Sequence, residues 1–168
     1  MKPAAADPAA AGSLQERFAA GSRCFGCGPA NAHGLRIRTF RGDEPRSVVT
    51  RWHARPDQEA FDGVVNGGIC ATLLDCTMNW AAISSLVADD AGDAPDTVTA
   101  DLAVRYLAPT PSDRPLRITA RVLASDGRRV SVEGAIEAGG SVTATGTGTF
   151  VVVGPNHAAS GRWRRSRT

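Results

Sequence analysis

The longest regular pattern in the chain lies between Phe61 and Val87, in FDGVVNGGICATLLDCTMNWAAISSLV. After the turn residues Asn66-Gly67-Gly68 it runs on for about twenty residues without proline or glycine, enough for a helix of roughly 30 Å. Ile69, Cys70, Leu73, Leu74, Thr77, Trp80, Ala81 and Ser84 recur at three-and-four spacing and form the stripe of a helix packed along one side. Asp75 breaks that stripe. At ~100° per residue it falls with Gly68, Ala71, Thr72, Met78, Asn79 and Ala82 on a second face of small residues, which lets another group approach closely.

Around this helix the pattern is strand-like. Over Leu35 to Phe40, Leu35, Ile37 and Thr39 alternate with Arg36, Arg38 and Phe40, and Ser47 to Ala54 follows the turn at Gly42 to Pro45. Beyond the acidic loop Asp89 to Asp96, four runs follow: Thr97 to Leu107, Leu116 to Ala124, Arg128 to Ala138 and Val142 to Val153. Pro109 and Pro111 end the first, while Asp126-Gly127 and Gly139-Gly140 are hairpin signals. The expected order is two strands, one long helix, then a four-stranded antiparallel meander. One helix against a curved antiparallel sheet of about six strands is the economical packing of these parts, an α+β layout. Residues 1–23 read as a loose Ala/Pro/Gly-rich arm with a helical turn over Leu14 to Ala19, residues 24–153 as the domain, and 154–168 as a basic, solvated tail.

Composition narrows the function classes. A chain of 168 residues, 42% hydrophobic and 21% charged, builds one sizeable core. A net charge of +2, with basic residues scattered until Arg162 to Arg167, is far short of a nucleic-acid footprint. No run of eighteen apolar residues is present and the N-terminal stretch carries prolines and an aspartate, so the expectation is a cytoplasmic protein without a membrane span. Four cysteines are too few to serve as the scaffold, and reduced thiols are expected.

Several residues carry candidate chemistry. A half-buried helical aspartate such as Asp75 either pairs with a neighbouring group or acts as a base, and Asn66-Gly67-Gly68 is a helix cap whatever else it does. A helix N-terminus offers unpaired N–H groups and a positive dipole end to a developing oxyanion, and glycine lets a substrate reach the backbone. Cys24-x-x-Cys27 with His33 hints at zinc but lacks the second pair of ligands that such sites need, so a structural turn is the default and no metal is expected. Cys76 reads as a small buried hydrophobe, Trp80 as core, and His53 and His157 as surface and tail residues. Arg105, Arg117, Arg128 and Arg129 suit phosphate but are more often solvated on strand faces.

Three segments in this order resemble a known family: Cys24-Phe25-Gly26-Cys27-Gly28-Pro29-Ala30-Asn31 with Gly34-Leu35, Gly67-Gly68-Ile69-x-Ala71-Thr72-Leu73-Leu74-Asp75, and Val104-Arg105-Tyr106-Leu107-Ala108-Pro109. They are similar to hotdog-fold acyl-CoA thioesterases of the PaaI-like (phenylacetate-pathway) and 4-hydroxybenzoyl-CoA type, over residues 24–153. The resemblance implies a homodimer or a tetramer of two dimers with active sites between subunits. It also implies hydrolysis of an acyl thioester of coenzyme A or of a carrier protein's pantetheine arm, with no cofactor beyond the coenzyme A or phosphopantetheine of the substrate. By the same resemblance Gly67 N–H polarises the carbonyl, Asp75 acts as general base on water or attacks the carbonyl, Asn66 orients the carbonyl, Gly68 binds substrate, and Thr99 binds substrate and orients the water. Two positions depart from the pattern: Asn66 stands where most relatives have histidine, and Cys76 where many have glutamate. A hotdog dehydratase or isomerase on pantetheine-bound chains, or a non-catalytic acyl-CoA-binding protein, would share the same frame.

Overall fold

The computed structural model describes residues 12–87 and 93–161. In chain order they form α1 (Leu14–Phe18), β1 (Thr39–Arg41), β2 (Ser47–Trp52), a 3-10 turn (Pro56–Gln58), β3 (Glu59–Phe61), β4 (Val64–Val65), α2 (Gly67–Leu86), β5 (Thr97–Tyr106), β6 (Leu116–Ser125), β7 (Arg129–Ala138) and β8 (Ser141–Val152). Six strands make one antiparallel sheet in the order β1-β2-β6-β7-β8-β5, curved around α2, while β3 and β4 pair separately. The layout is α+β, one long helix wrapped by the sheet.

Alternation explains which face holds the helix. Leu116, Ile118, Ala120 and Val122 of β6, with Val130, Val132 and Ile136 of β7, are buried, whereas Arg117 and Arg121 are exposed on the other side. Cross-strand register lines up Ala120, Gly134 and Gly146 in one row. That row is a trench for Met78: a Cβ on Gly134 would lie 3.0 Å from Met78 Cγ, and one on Gly146 3.2 Å from its Cε. Glycine here gives up strand stability to let α2 sit close. The polar members of the helix stripe have partners. Thr77 Oγ1 donates to Thr50 Oγ1 at 3.0 Å, Thr50 and Thr39 hydroxyls meet at 2.9 Å, and Gln15 Nε2 donates to Thr39 Oγ1 at 2.9 Å. This buried chain ties α1, β1, β2 and α2 together, so each hydroxyl is satisfied out of water.

Several expectations need correction. The last four strands are not a meander in sequence order: β5 pairs with β8, and β6 lies between β2 and β7. The linker after Tyr106, with Pro109 and Pro111, is too long and too proline-rich for a hairpin and carries the chain across to the other side of the sheet. The strand expected over Leu35 to Phe40 is reduced to Thr39–Arg41. Leu35 and Ile37 instead donate their N–H groups to Phe25 and Gly26 carbonyls at 2.9 and 3.0 Å, and Arg36 takes a positive φ of 57°. The arm expected to be loose is packed from Ser13 onward, with Leu14, Gln15 and Ala19 buried, because a capping box of Ser13 and Glu16 starts α1 and Gln15 bonds to β1. The small β3–β4 hairpin was not anticipated. Residues 1–11 of the arm, residues 88–92 of the acidic loop and the basic tail from Arg162 lie outside the described residues.

The helix itself matches its expected span, but its second face is open only in part. Gly68 is exposed and Ala71, Thr72 and Asp75 are half-buried, whereas Met78, Asn79 and Ala82 are buried. Asn79 Oδ1 accepts a 2.7 Å hydrogen bond from Thr97 Oγ1, so the start of β5 closes that face from one turn after Asp75 onward. By length and hydropathy α2 could cross a membrane, yet 67% of its apolar window is buried inside the sheet, the mark of a core helix.

Candidate active site

The N-terminus of α2 is held from both sides. Val65 N–H donates to Thr110 O at 2.9 Å and Asn66 N–H to Gln58 O at 3.0 Å, which fixes the chain as it enters the helix. Asn66 is the N-cap, with φ −57° and ψ 133°, and its Oδ1 accepts from Gly68 N (2.8 Å) and Ile69 N (3.4 Å). The cap therefore takes the second and third amides and not that of Gly67, the first. Tyr106, at the end of β5, donates from its hydroxyl to Gly67 O at 2.6 Å, and Thr72 Oγ1 donates to Gly68 O at 2.9 Å. Beside this corner lies a groove of about 380 Å³ lined by Phe61, Val64, Gly67, Cys70, Tyr106 and Leu107. Phe61, Tyr106 and Leu107 are exposed large side chains gathered at one place, an apolar surface suited to a ligand or a partner.

Asp75 lies further along the same open half of α2. Its Oδ1 accepts a 2.7 Å hydrogen bond from Thr99 Oγ1, on β5. The β5–β8 register shifts between Thr99 and Asp101, an irregularity that re-aims side chains at this part of the strand. Asp75 lies eight positions after Gly67, about 12 Å along the axis at the ordinary helical rise. The fold thus joins Asp75 to Thr99, and Asn66, Gly67 and Gly68 to one another, but keeps the two groups too far apart to act on one carbonyl within a single chain.

Position 76 points elsewhere. Cys76 is buried, and its sulfur lies with those of Cys24 and Cys27 in a cluster whose three Sγ atoms are within 4.8 Å of one another. Hydrogen bonding from Cys27, then from Cys76 and the Cys27 and Gly26 backbone, holds the Cys24 thiol far below the ordinary thiol range. The contact with Cys24 pushes Cys27 up, and contacts with both neighbours together with burial push Cys76 up. All four cysteines are free thiols. Neither the trio nor the role of Tyr106 emerges from the sequence reading. The available signal for the trio was that Cys76 and Trp80 are one turn apart on α2, and Trp80 Nε1 donates to Cys27 Sγ at 3.4 Å. His33 sits on an exposed turn, and His53 Nδ1 bonds to the carbonyl of Ala54 at 2.9 Å. A larger cavity, about 1180 Å³, lies on the sheet face away from α2 among Arg41, Arg51, Arg105, Arg117 and Arg121, and includes none of the site residues.

Comparison with solved structures finds the same architecture. A thioesterase superfamily protein is 29% identical with a TM-score of 0.63, covering 77% of this chain, which spans only 60% of that protein's length. A thioesterase superfamily protein from Shewanella loihica PV-4 is 26% identical with a TM-score of 0.58, covering 75% of this chain and 98% of its own. A proposed thioesterase related to phenylacetic acid degradation, from Ralstonia eutropha JMP134, is 25% identical with a TM-score of 0.61, covering 74% of this chain and 90% of its own. No curated protein matches the chain. These neighbours share the hotdog arrangement of a central helix in a curved sheet and support a thioesterase-type function. The model of the thioesterase superfamily matches residues 62–152, from just before α2 to the end of β8, and by that match over more than half its length the chain belongs to the thioesterase superfamily.

Proposed function

We propose that the protein hydrolyses an acyl thioester of coenzyme A or of a carrier protein's pantetheine arm, in sites shared between two copies of the chain. The observation that carries this reading is the Asp75–Thr99 hydrogen bond on the open half of α2, in a member of the thioesterase superfamily. Asp75 is the one acidic residue of α2, and the Thr99 hydroxyl orients its carboxylate as the base for water. Gly67 N–H, outside the cap's reach, is the oxyanion donor. Attack of water, with its proton passing to Asp75, turns the carbonyl oxygen into an oxyanion held by that N–H. Collapse of the adduct expels the thiolate and leaves the free acid.

The roughly 12 Å between the two groups is why two copies are needed. β5 ends the sheet, and six of its ten residues are exposed. A long open edge of this kind is normally covered, and pairing with a second copy would bring one chain's Asp75 toward the other's Gly67 groove. That groove has room for an acyl chain or the pantetheine arm. The test is thiol release from a panel of acyl-CoAs by wild type and Asp75→Asn. A fall in kcat of about a hundredfold or more is expected on losing a general base. Equal rates would remove Asp75 from the mechanism, and an altered acyl chain on an intact thioester would assign the site to lyase or isomerase chemistry instead.

A further inference from the structure

We propose that Cys24, Cys27 and Cys76 form a binding site for a zinc ion, three thiolates from two segments of the chain that clamp the Cys24–Cys27 loop to the active-site helix. Their Sγ atoms all lie within 4.8 Å of one another. Tetrahedral zinc with sulfur ligands at ~2.3 Å places them roughly 3.8 Å apart, so small rotations of the side chains close the site.

The surroundings are shaped for this meeting. A Cβ on Gly26 would run into Cys76 Sγ, and one on Gly28 into the backbone of Cys24, so both glycines are needed for the loop to reach α2. Gly28 N–H closes the turn on Cys24 O at 2.9 Å, and the bonds from Leu35 and Ile37 to Phe25 and Gly26 carbonyls hold it in place. The Trp80 indole donates to Cys27 Sγ at 3.4 Å, the outer-shell N–H that steadies a metal-bound sulfur. Three thiolates on Zn²⁺ leave one negative charge, and Arg38, whose Nη1 donates to Cys27 O at 3.2 Å, stands beside it. Cys27 and Cys76 are buried while Cys24 is only half-buried, which leaves the outer side open for a water as fourth ligand. A purely hydrophobic role does not account for three thiols converging on one point with an N–H aimed at one of them, and a disulfide would use only two. The soft donor set selects a thiophilic d10 ion, and zinc is the member that takes three thiolates and a water.

The test uses the full chain, reduced and stripped of metal, titrated with Zn²⁺ against a chromogenic chelator and with Co²⁺ as a spectroscopic probe. One Zn²⁺ per chain is expected, with thiolate-to-cobalt charge-transfer bands and a Tm that rises with Zn²⁺. Cys24→Ser and Cys76→Ser should each abolish the one-to-one binding and the bands, whereas Cys70→Ala should keep both. Cys24→Ser changes only a half-buried loop residue, so it decides the matter even if Cys76→Ser fails to fold. Absence of stoichiometric binding in the wild type, or binding retained in Cys24→Ser, would overturn the assignment. None of these readouts depends on thioesterase activity.

Discussion

At the scale of single residues, the proposed chemistry rests on one backbone N–H and one carboxylate, and the N–H can be removed without disturbing the helix. Gly67 is the first residue of α2, where proline is at home because that amide has no helical partner. Asn66 already has the extended conformation that a following proline demands, and a Cβ at Gly67 would meet Tyr106 only at ordinary contact, 3.5 Å. Gly67→Pro is therefore expected to fold with unchanged Tm while kcat falls about 10²–10³-fold, the usual effect of deleting an oxyanion donor. Activity retained in that variant would remove Gly67 from the mechanism. Thr99→Val keeps the shape of β5 but removes the hydrogen bond to Asp75 Oδ1. Loss of a hydrogen bond to a charged group, about 1.5–3 kcal/mol, corresponds to roughly ten- to hundredfold in kcat with KM little changed. Sequence spacing alone had no means of connecting these two residues, 24 apart on a helix and a strand, and only the family resemblance suggested it. For Cys76 spacing and resemblance both looked the wrong way. Its neighbour in sequence is Asp75, but the residues it meets come from a loop about fifty positions earlier, whose path depends on glycines 26 and 28.

The elements show what a periodic pattern can and cannot reveal. The span of α2 was readable because capping asparagine, glycine pair and apolar stripe all agree on it, and the strands β5 to β8 because alternation and hairpin signals coincide. Neighbour order was not readable, since the same four alternating runs fit a sequential meander or a sheet with β5 at its far edge. The linker after Tyr106 decides it, through tertiary contacts such as Thr110 Oγ1 to Thr143 Oγ1 at 2.8 Å. Nor did periodicity distinguish the open half of α2 from the closed one, because small residues line that face throughout and only the placement of β5 and of the glycine row buries Met78 and Asn79. That row gives a prediction at this scale. In Gly134→Ala the new methyl would sit 3.0 Å from Met78 Cγ and 3.1 Å from Thr119 O, the second a backbone atom that cannot yield. Overpacking of this kind costs about 1–3 kcal/mol, which for a domain of this size lowers Tm by several degrees. A melt indistinguishable from wild type would mean that α2 does not press on the sheet along this row.

For the whole molecule the question is how two half-sites on one helix become a working centre. In the proposed two-fold dimer each site would take Gly67 from one chain and Asp75 from the other, so a defect in one chain would be complemented by the opposite defect in its partner. Asp75→Asn and Gly67→Pro preparations should each be inactive. When the two are mixed, dissociated and reassociated, hybrids arise in which one site has both lesions and the other has neither. Random pairing makes half the dimers hybrids, each with one good site of two, so the mixture should recover about a quarter of wild-type activity. The recovered activity should follow the hybrid population as mixing proceeds, and mixing without dissociation should restore nothing. If both groups belonged to one chain, no combination of the two variants could rebuild a site, and the mixture would stay as inactive as its components. Recovery would also locate the contact: charges placed on the exposed edge of β5 should abolish complementation and hybrid formation together, because the strand that carries Thr99 to Asp75 is the strand that the second copy must cover.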